Sequence, residues 1–171
     1  MVGMYEAKAV LMDNPLRILK RRLPVTLWVH PEGRVVGNIF LHLRGDELRD
    51  REATESVLNE PAEFLVVERR HPDETRFYNK HAIVRVDYVD PDHADSAGAP
   101  LTCTVTLMDG SELQGEIWKA MPMERSRLYD YLNATSDRFL ELRLAGGERS
   151  LINKSYVVSI SPRDAPADSR V

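Results

Sequence analysis

The chain is poor in the groups on which much protein chemistry depends. It holds one cysteine, Cys103, so no internal disulfide can form and no cysteine-rich zinc site can be assembled. Thr102, Thr104 and Val105 around it favour a strand, which makes the thiol first a small buried hydrophobe and only second a reactive group. No apolar run approaches the roughly 18 residues needed to cross a bilayer. The earliest apolar stretch carries Glu6 and Lys8, unlike a secretory leader, so we expect a cytoplasmic protein with no membrane partner. The five histidines, at 30, 42, 71, 81 and 93, have no paired spacing, and no metal is expected because a site needs three or four convergent ligands. There is no glycine-rich phosphate loop and no Gly-x-Ser-x-Gly elbow. Carboxylates are plentiful, but none is isolated in an apolar run where burial would tune it for proton transfer. No enzyme and no cofactor are therefore expected. Positive charge is short too: the formal net charge of −4 argues against general coating of nucleic acid, whose affinity comes from a surplus of Lys and Arg.

What is present is β-patterned. A hydrophobic fraction of 43% suffices for ordinary cores. Asn14 and Pro15 suit the start of a short helix running to about Arg22, with Leu16, Leu19 and Leu23 as its packing stripe and Lys20, Arg21 and Arg22 in its last turn. That basic trio reads either as a solvated helix end or as a contact patch for phosphate. From Pro24 the period changes to two: Val25, Leu27 and Val29 point one way and Thr26, Trp28 and His30 the other. Gly33 turns the chain, and residues 24–43 read as a hairpin. Residues 44–60 are dense in charge and read as an exposed helix or ordered loop. Strands are expected at 64–67 and, as a pair or one bent strand, at 76–88.

Residues 90–100 concentrate turn and linker residues, and after them the order restarts. Cys103, Val105 and Leu107 alternate, Asp109-Gly110 turns, and Leu113, Gly115 and Ile117 return. Ser126–Asn133 carries a helical pattern, and strands follow at 139–144 and 149–160. The copies align at Gly33 with Gly110, Gly37 with Gly115, Leu58-Asn59 with Leu132-Asn133, Phe64-Leu65 with Phe139-Leu140, and Asn79-Lys80 with Asn153-Lys154. Five anchors in one order make this a tandem duplication. We expect a mainly β (α+β) fold of two small bent-sheet barrels, each with a helical insert: a first unit over 1–89, a linker at 90–100, a second unit over 101–161 and a disordered tail at 162–171. Gly37 and Gly115, inside strands, mark the sharp bend of a barrel strand. Asn79 and Asn153 suit tight bends between strands, with Lys80 and Lys154 discouraging edge pairing.

Asn14-Pro15-Leu16, Lys20 to Val29, Gly33, Val36 to Ile39 and Lys80-His81-Ala82-Ile83 together resemble the Hfq-like branch of the Sm-like family, small SH3-like barrels preceded by a short helix. The chain also resembles uncharacterised bacterial tandem domains with Leu-Asn, Phe-Leu and Asn-Lys patterns. The Hfq-like resemblance implies RNA binding through Lys80 and His81 of the closing motif and through the basic Lys20, Arg21 and Arg22. The second copy reads Lys154-Ser155 and lacks the histidine. Arg17 to Arg21 before a barrel also resembles the arginine motif of PilZ-type cyclic-di-GMP receptors, without its companion motif. On these grounds the first expectation is a non-catalytic adaptor acting through a protein partner or self-association. Hfq-like RNA binding comes second and a PilZ-like cyclic-di-GMP receptor third.

Overall fold

The computed structural model describes residues 20–42, 54–89, 99–119, 128–134 and 136–163. Ten strands and two short helices follow one another as β1 (Lys20–Val29), β2 (Gly33–His42), α1 (Thr54–Asn59), β3 (Phe64–Arg70), β4 (Asp73–Asn79), β5 (Ile83–Tyr88), β6 (Ala99–Leu107), β7 (Glu112–Lys119), α2 (Leu128–Ala134), β8 (Phe139–Arg143), β9 (Arg149–Asn153) and β10 (Val157–Pro162). All pair antiparallel in one open sheet of order β10-β6-β7-β8-β9-β5-β1-β2-β3-β4. None of the described helices is long and apolar enough to cross a membrane.

The duplication appears as a repeated register. Val25 pairs with Gly37 as Cys103 pairs with Gly115. Phe64 pairs with Asn79 as Phe139 pairs with Asn153. The return of β5 onto β1 sets Tyr88 against Val25, Val86 against Leu27 and Arg85 against Trp28, then slips one residue. β10 repeats it on β6, with Pro162 against Cys103, Ile160 against Val105 and Ser159 against Thr106 before the same slip. Val84 and Val158 are thus the equivalent bulged residues. Each half therefore runs fifth strand, first, second, third, fourth.

The period-two pattern explains the cores. On β1 the buried positions are Leu23, Val25, Leu27 and Val29, one face of a strand. Burying each such side chain is worth roughly 1.5–3 kcal/mol. Two clusters result, one on Leu27, Ile39, Val67 and Val86 and the other on Cys103, Val105, Ile117 and Leu142; Cys103 is one of the buried apolar residues of the second. Gly37 and Gly115 set the bend between second and third strands. A Cβ on Gly37 would collide with the Glu68 carbonyl and Val67, and one on Gly115 with the Arg143 carbonyl and Leu142, so only a bare backbone lets the strands cross this closely.

Several expected boundaries change. Lys20, Arg21 and Arg22 open β1 instead of ending a helix, because Leu23 belongs to the strand's inward set and not to a helical stripe; the start of that helix lies outside the described residues. Pro24 is tolerated in the strand because β5 pairs with β1 only from Val25 onward, leaving one side of Pro24 without a ladder partner. Ala99 and Pro100, assigned to the linker, begin β6, while 90–98 lie outside the described residues. Pro162, assigned to the tail, closes β10, and the Arg163 amide donates to the Thr102 carbonyl at 2.8 Å; 164–171 also lie outside. Of the charged stretch 44–60, residues 54–59 form α1, and 76–88 resolves into a strand pair.

Candidate functional site

The two halves meet where β5 pairs with β9, setting Arg85 against Ile152, Val86 against Leu151, Asp87 against Ser150 and Tyr88 against Arg149. Polar side chains lock this seam. The Asp87 carboxylate accepts from Trp28 Nε1 at 2.9 Å and from Ser150 Oγ at 2.6 Å. The Tyr88 hydroxyl donates to Glu141 Oε2 at 3.0 Å, while Arg149 Nη1 donates to Glu141 Oε1 at 2.6 Å. Burial, reinforced by the Glu141 charge, pushes the Tyr88 hydroxyl far above its usual range, so it stays protonated and keeps its donation to Glu141. Tyr131, half-buried, is pushed up to about 12 by burial first and then by the charges of Glu55 and Glu141. Glu55 is raised by burial first and by Glu141 second.

Two asparagines of the repeat pattern stitch the seam. The Asn59 side chain donates to the Phe139 carbonyl at 3.2 Å and accepts from the Phe139 amide at 2.8 Å. Asn153, wholly buried, donates to the Lys80 and Ile83 carbonyls at 3.4 and 2.9 Å and accepts from the Ser155 amide at 3.0 Å. Asn79 makes the matching local bond to the His81 amide at 2.9 Å. Both asparagines are therefore bend residues, as their side-chain chemistry favours, and Asn153 also crosses between halves.

The five residues implied in RNA binding have different surroundings. Lys80 is 1% exposed; its ammonium donates to the Val57 and Glu60 carbonyls at 2.7 and 3.1 Å. α1 has no basic residue in its own last turn, so Lys80 caps it from a distant segment, and burial lowers its pKa. Lys20 and Lys80 line one recess of about 280 Å³ with Phe40, Val57 and Phe64. Arg22 pairs with Glu68 at 3.2 Å. His81 is exposed, with Nε2 2.8 Å from Arg138 and 3.1 Å from Glu63. Arg21 lies in the same strand, half-buried. Lys154 donates its amide to the Arg138 carbonyl at 2.9 Å, and its side chain is half-buried.

A larger cleft of about 510 Å³ opens between the turns of the two halves, lined by Trp28, His30, Arg85, Met108, Asp109 and Tyr156 among others. Arg85 lies over the Trp28 ring at 4.6 Å. Asp109 Oδ1 accepts from Ser111 N and Oγ at 2.9 and 2.7 Å, which holds its carboxyl below the usual range. A carboxylate so stabilised is a poor base for the serine it touches, and the contact is a local turn. No group of three or more His, Cys, Asp or Glu among the described residues could hold a metal ion.

No family model, curated protein or solved structure matches this chain. The site must therefore be read from its own geometry.

One feature of that geometry has no counterpart among the sequence-derived sites. Phe64, Val66 and Phe77 are 55%, 37% and 68% exposed. Val66 pairs directly with Phe77, and Phe64 stands two residues before Val66, so all three share one face of the β3–β4 ribbon. The equivalent positions in the second half are Phe139, Glu141 and Leu151, and there Phe139 is 1% and Leu151 0% exposed, both within the first half's core cluster. Val158, on β10, is 64% exposed, whereas its equivalent Val84 packs on the second cluster. The alignment of Phe64 with Phe139 was the available signal. That the second of each pair is a seam residue could be learned only from the pairing of β5 with β9.

Proposed function

We propose that the chain is a non-catalytic binding module, two tandem Sm-like barrels that act through protein–protein contact along the strands at the ends of the sheet. The barrel reading is supported by the two separate core clusters and by the glycine bends that bring second and third strands into near collision. The binding reading is carried by the apolar face of Phe64, Val66 and Phe77 beside β4, a terminal strand of the sheet. Exposed aromatics next to a strand whose outer edge has no neighbour among the described residues invite strand addition, in which main-chain bonds supply affinity and alternate side chains supply specificity.

A second reading, RNA binding, is favoured by the cleft between the halves. Trp28, Tyr156 and His30 offer planar faces and Arg85 a cation, the elements on which unpaired bases stack. Fluorescence anisotropy with uridine-rich and adenine-rich RNA separates the two. The module reading predicts affinity weaker than about 1 µM with no dependence on Tyr156. Tighter, salt-sensitive binding that is lost in Tyr156→Ala and Arg21→Ala would overturn it in favour of RNA.

A further inference from the structure

The cleft between the two halves is walled by rings that the duplication did not supply. In the shared register Val29 corresponds to Leu107 and Val84 to Val158, so Trp28, His30 and Tyr156 stand where the other copy has Thr106, Met108 and Ala82. Each ring therefore belongs to one half only, and all three line the cleft. The second half adds Asp109 from the turn between β6 and β7.

The rings differ in how far they are committed. Trp28 gives one face to Arg85, 4.6 Å from the ring centroid, and its Nε1–H to Asp87. Arg85 Nε lies 3.2 Å from Asp87 Oδ2, so that cation has its counter-charge beside it. His30 and Tyr156 stand with centroids 6.4 Å apart and planes tilted by 51°, a wedge and not a slot. A base sandwiched between them would need near-parallel rings about 9 Å apart, twice the ~4.5 Å lower limit of ring–ring contact. A compact cation can instead stand about 4.5 Å from both centroids at once, within the ~6 Å over which a ring face attracts it.

The charge of the cleft points the same way. Asp109 is exposed at its turn and is held ionised by the bonds it accepts from Ser111. With Arg85 matched by Asp87, the charge left over is that of Asp109, which attracts a cation and repels a phosphate. Val29, Val84, Leu107 and Met108 supply an apolar lining. A primary ammonium would give up water there for too few acceptors, whereas a quaternary one has no N–H to satisfy and presents methyl groups to the walls.

We infer that this cleft is a site for a quaternary ammonium group, held in the wedge of His30 and Tyr156 near Asp109, with its carbon stem along Val84 and Leu107. The cavity of about 510 Å³ falls within the ~300–1,000 Å³ of small-ligand sites and exceeds the head group alone, so it has room for the stem. Free choline-type cations and trimethylated lysine side chains both carry this head. The β3–β4 face takes no part in the binding, and RNA is the competing occupant of the same cleft.

Isothermal titration calorimetry on the full chain tests this at constant ionic strength. The probes are choline, its neutral isostere 3,3-dimethylbutan-1-ol, and a glycine-flanked peptide carrying either trimethyllysine or plain lysine. Choline should bind with a Kd of about 1 mM or tighter, and the isostere at least ~10-fold more weakly, because the rings attract the charge and not the shape. Tyr156→Leu should weaken choline by about 10-fold, while Tyr156→Phe, which keeps the ring, should change it by less than about 2-fold. Asp109→Asn, which still accepts from Ser111, should weaken it by about 5-fold. Circular dichroism melts that match wild type show that these variants remain folded. A trimethyllysine peptide at least ~10-fold tighter than choline names a partner protein's side chain as the source, and a peptide no tighter than choline names a free cation; either result supports the site. An isostere that binds as tightly as choline, a plain-lysine peptide that matches the trimethylated one, or a Tyr156→Leu chain with undiminished affinity overturns it. So does a chain that binds neither choline nor the trimethyllysine peptide, and in that case strand addition at β4 stands untouched. Tight RNA binding that depends on Tyr156 and that choline does not displace gives the cleft to nucleic acid and overturns it too.

Discussion

The β8–β9 ribbon and the β3–β4 ribbon are the same structure in two environments. Each sets a Phe opposite an Asn in the same register, yet one ribbon closes a core and the other faces solvent. Phe139 and Leu151 belong to the first half's cluster, while Phe64 and Phe77 are more than half exposed. What differs is the neighbour: β9 has β5 beside it and β4 ends the sheet. An exposed aromatic is ordinary taken singly. Two of them, at the positions where the repeat buries its counterparts, mark a surface that is incomplete.

Substitutions at matched positions sharpen this contrast, and the largest effect belongs to the buried member. Leu151→Asp places a charge in the first core and should cost more than about 4 kcal/mol in urea melts, enough to prevent folding. Phe77→Asp, its equivalent, should shift the same melts by less than about 0.5 kcal/mol when measured on dilute chain. Equal losses at the two positions would break the contrast. Next comes Lys80→Ala, which strands the Val57 and Glu60 carbonyls and removes a buried stem; a loss of about 2–3 kcal/mol is expected in the same assay. Asn59→Ala should cost about 1–2 kcal/mol, since it leaves the Phe139 backbone unpaired, and Asn133→Ala should be near neutral.

The smallest effect is electrostatic. Burial raises the Glu55 carboxyl above its usual value, so the fold binds this proton more tightly than the unfolded chain does. Stability from this group is present below the unfolded carboxylate value and is lost as pH rises through the raised one. Glu55→Gln, which stays neutral, should therefore raise the melting temperature at pH 7 and make little difference at pH 4, read by thermal melts across that range. The opposite trend would mean that Arg149 governs the group and burial does not.

Much of the fold was legible. Val25, Leu27 and Val29 gave β1 its inward face by alternation alone, and Gly33 and Gly110, both at positive φ of 89° and 82°, marked the turns. Lys20 to Leu23 misled because Leu16, Leu19 and Leu23 also satisfy helical spacing, and a short stretch supports both periods. The anchors of the repeat were visible as residues but not as contacts. Asn59 and Phe139 stand 80 residues apart, and no local pattern says that an asparagine from one copy holds the backbone of the other. Lys80 likewise reads from its Asn-Lys-His context as an edge-guarding or RNA-contacting lysine. Only the distance to the end of α1 makes it a helix cap.

Hydrogen–deuterium exchange on the full chain tests the central claim most directly. β9, at 149–153, reports the internal seam and should be protected. The account predicts that the outward-facing amides of 73–79 and 157–161 exchange quickly in dilute solution while those of β9 do not. Terminal strands whose outward-facing amides are as well protected as those of β9 would contradict it.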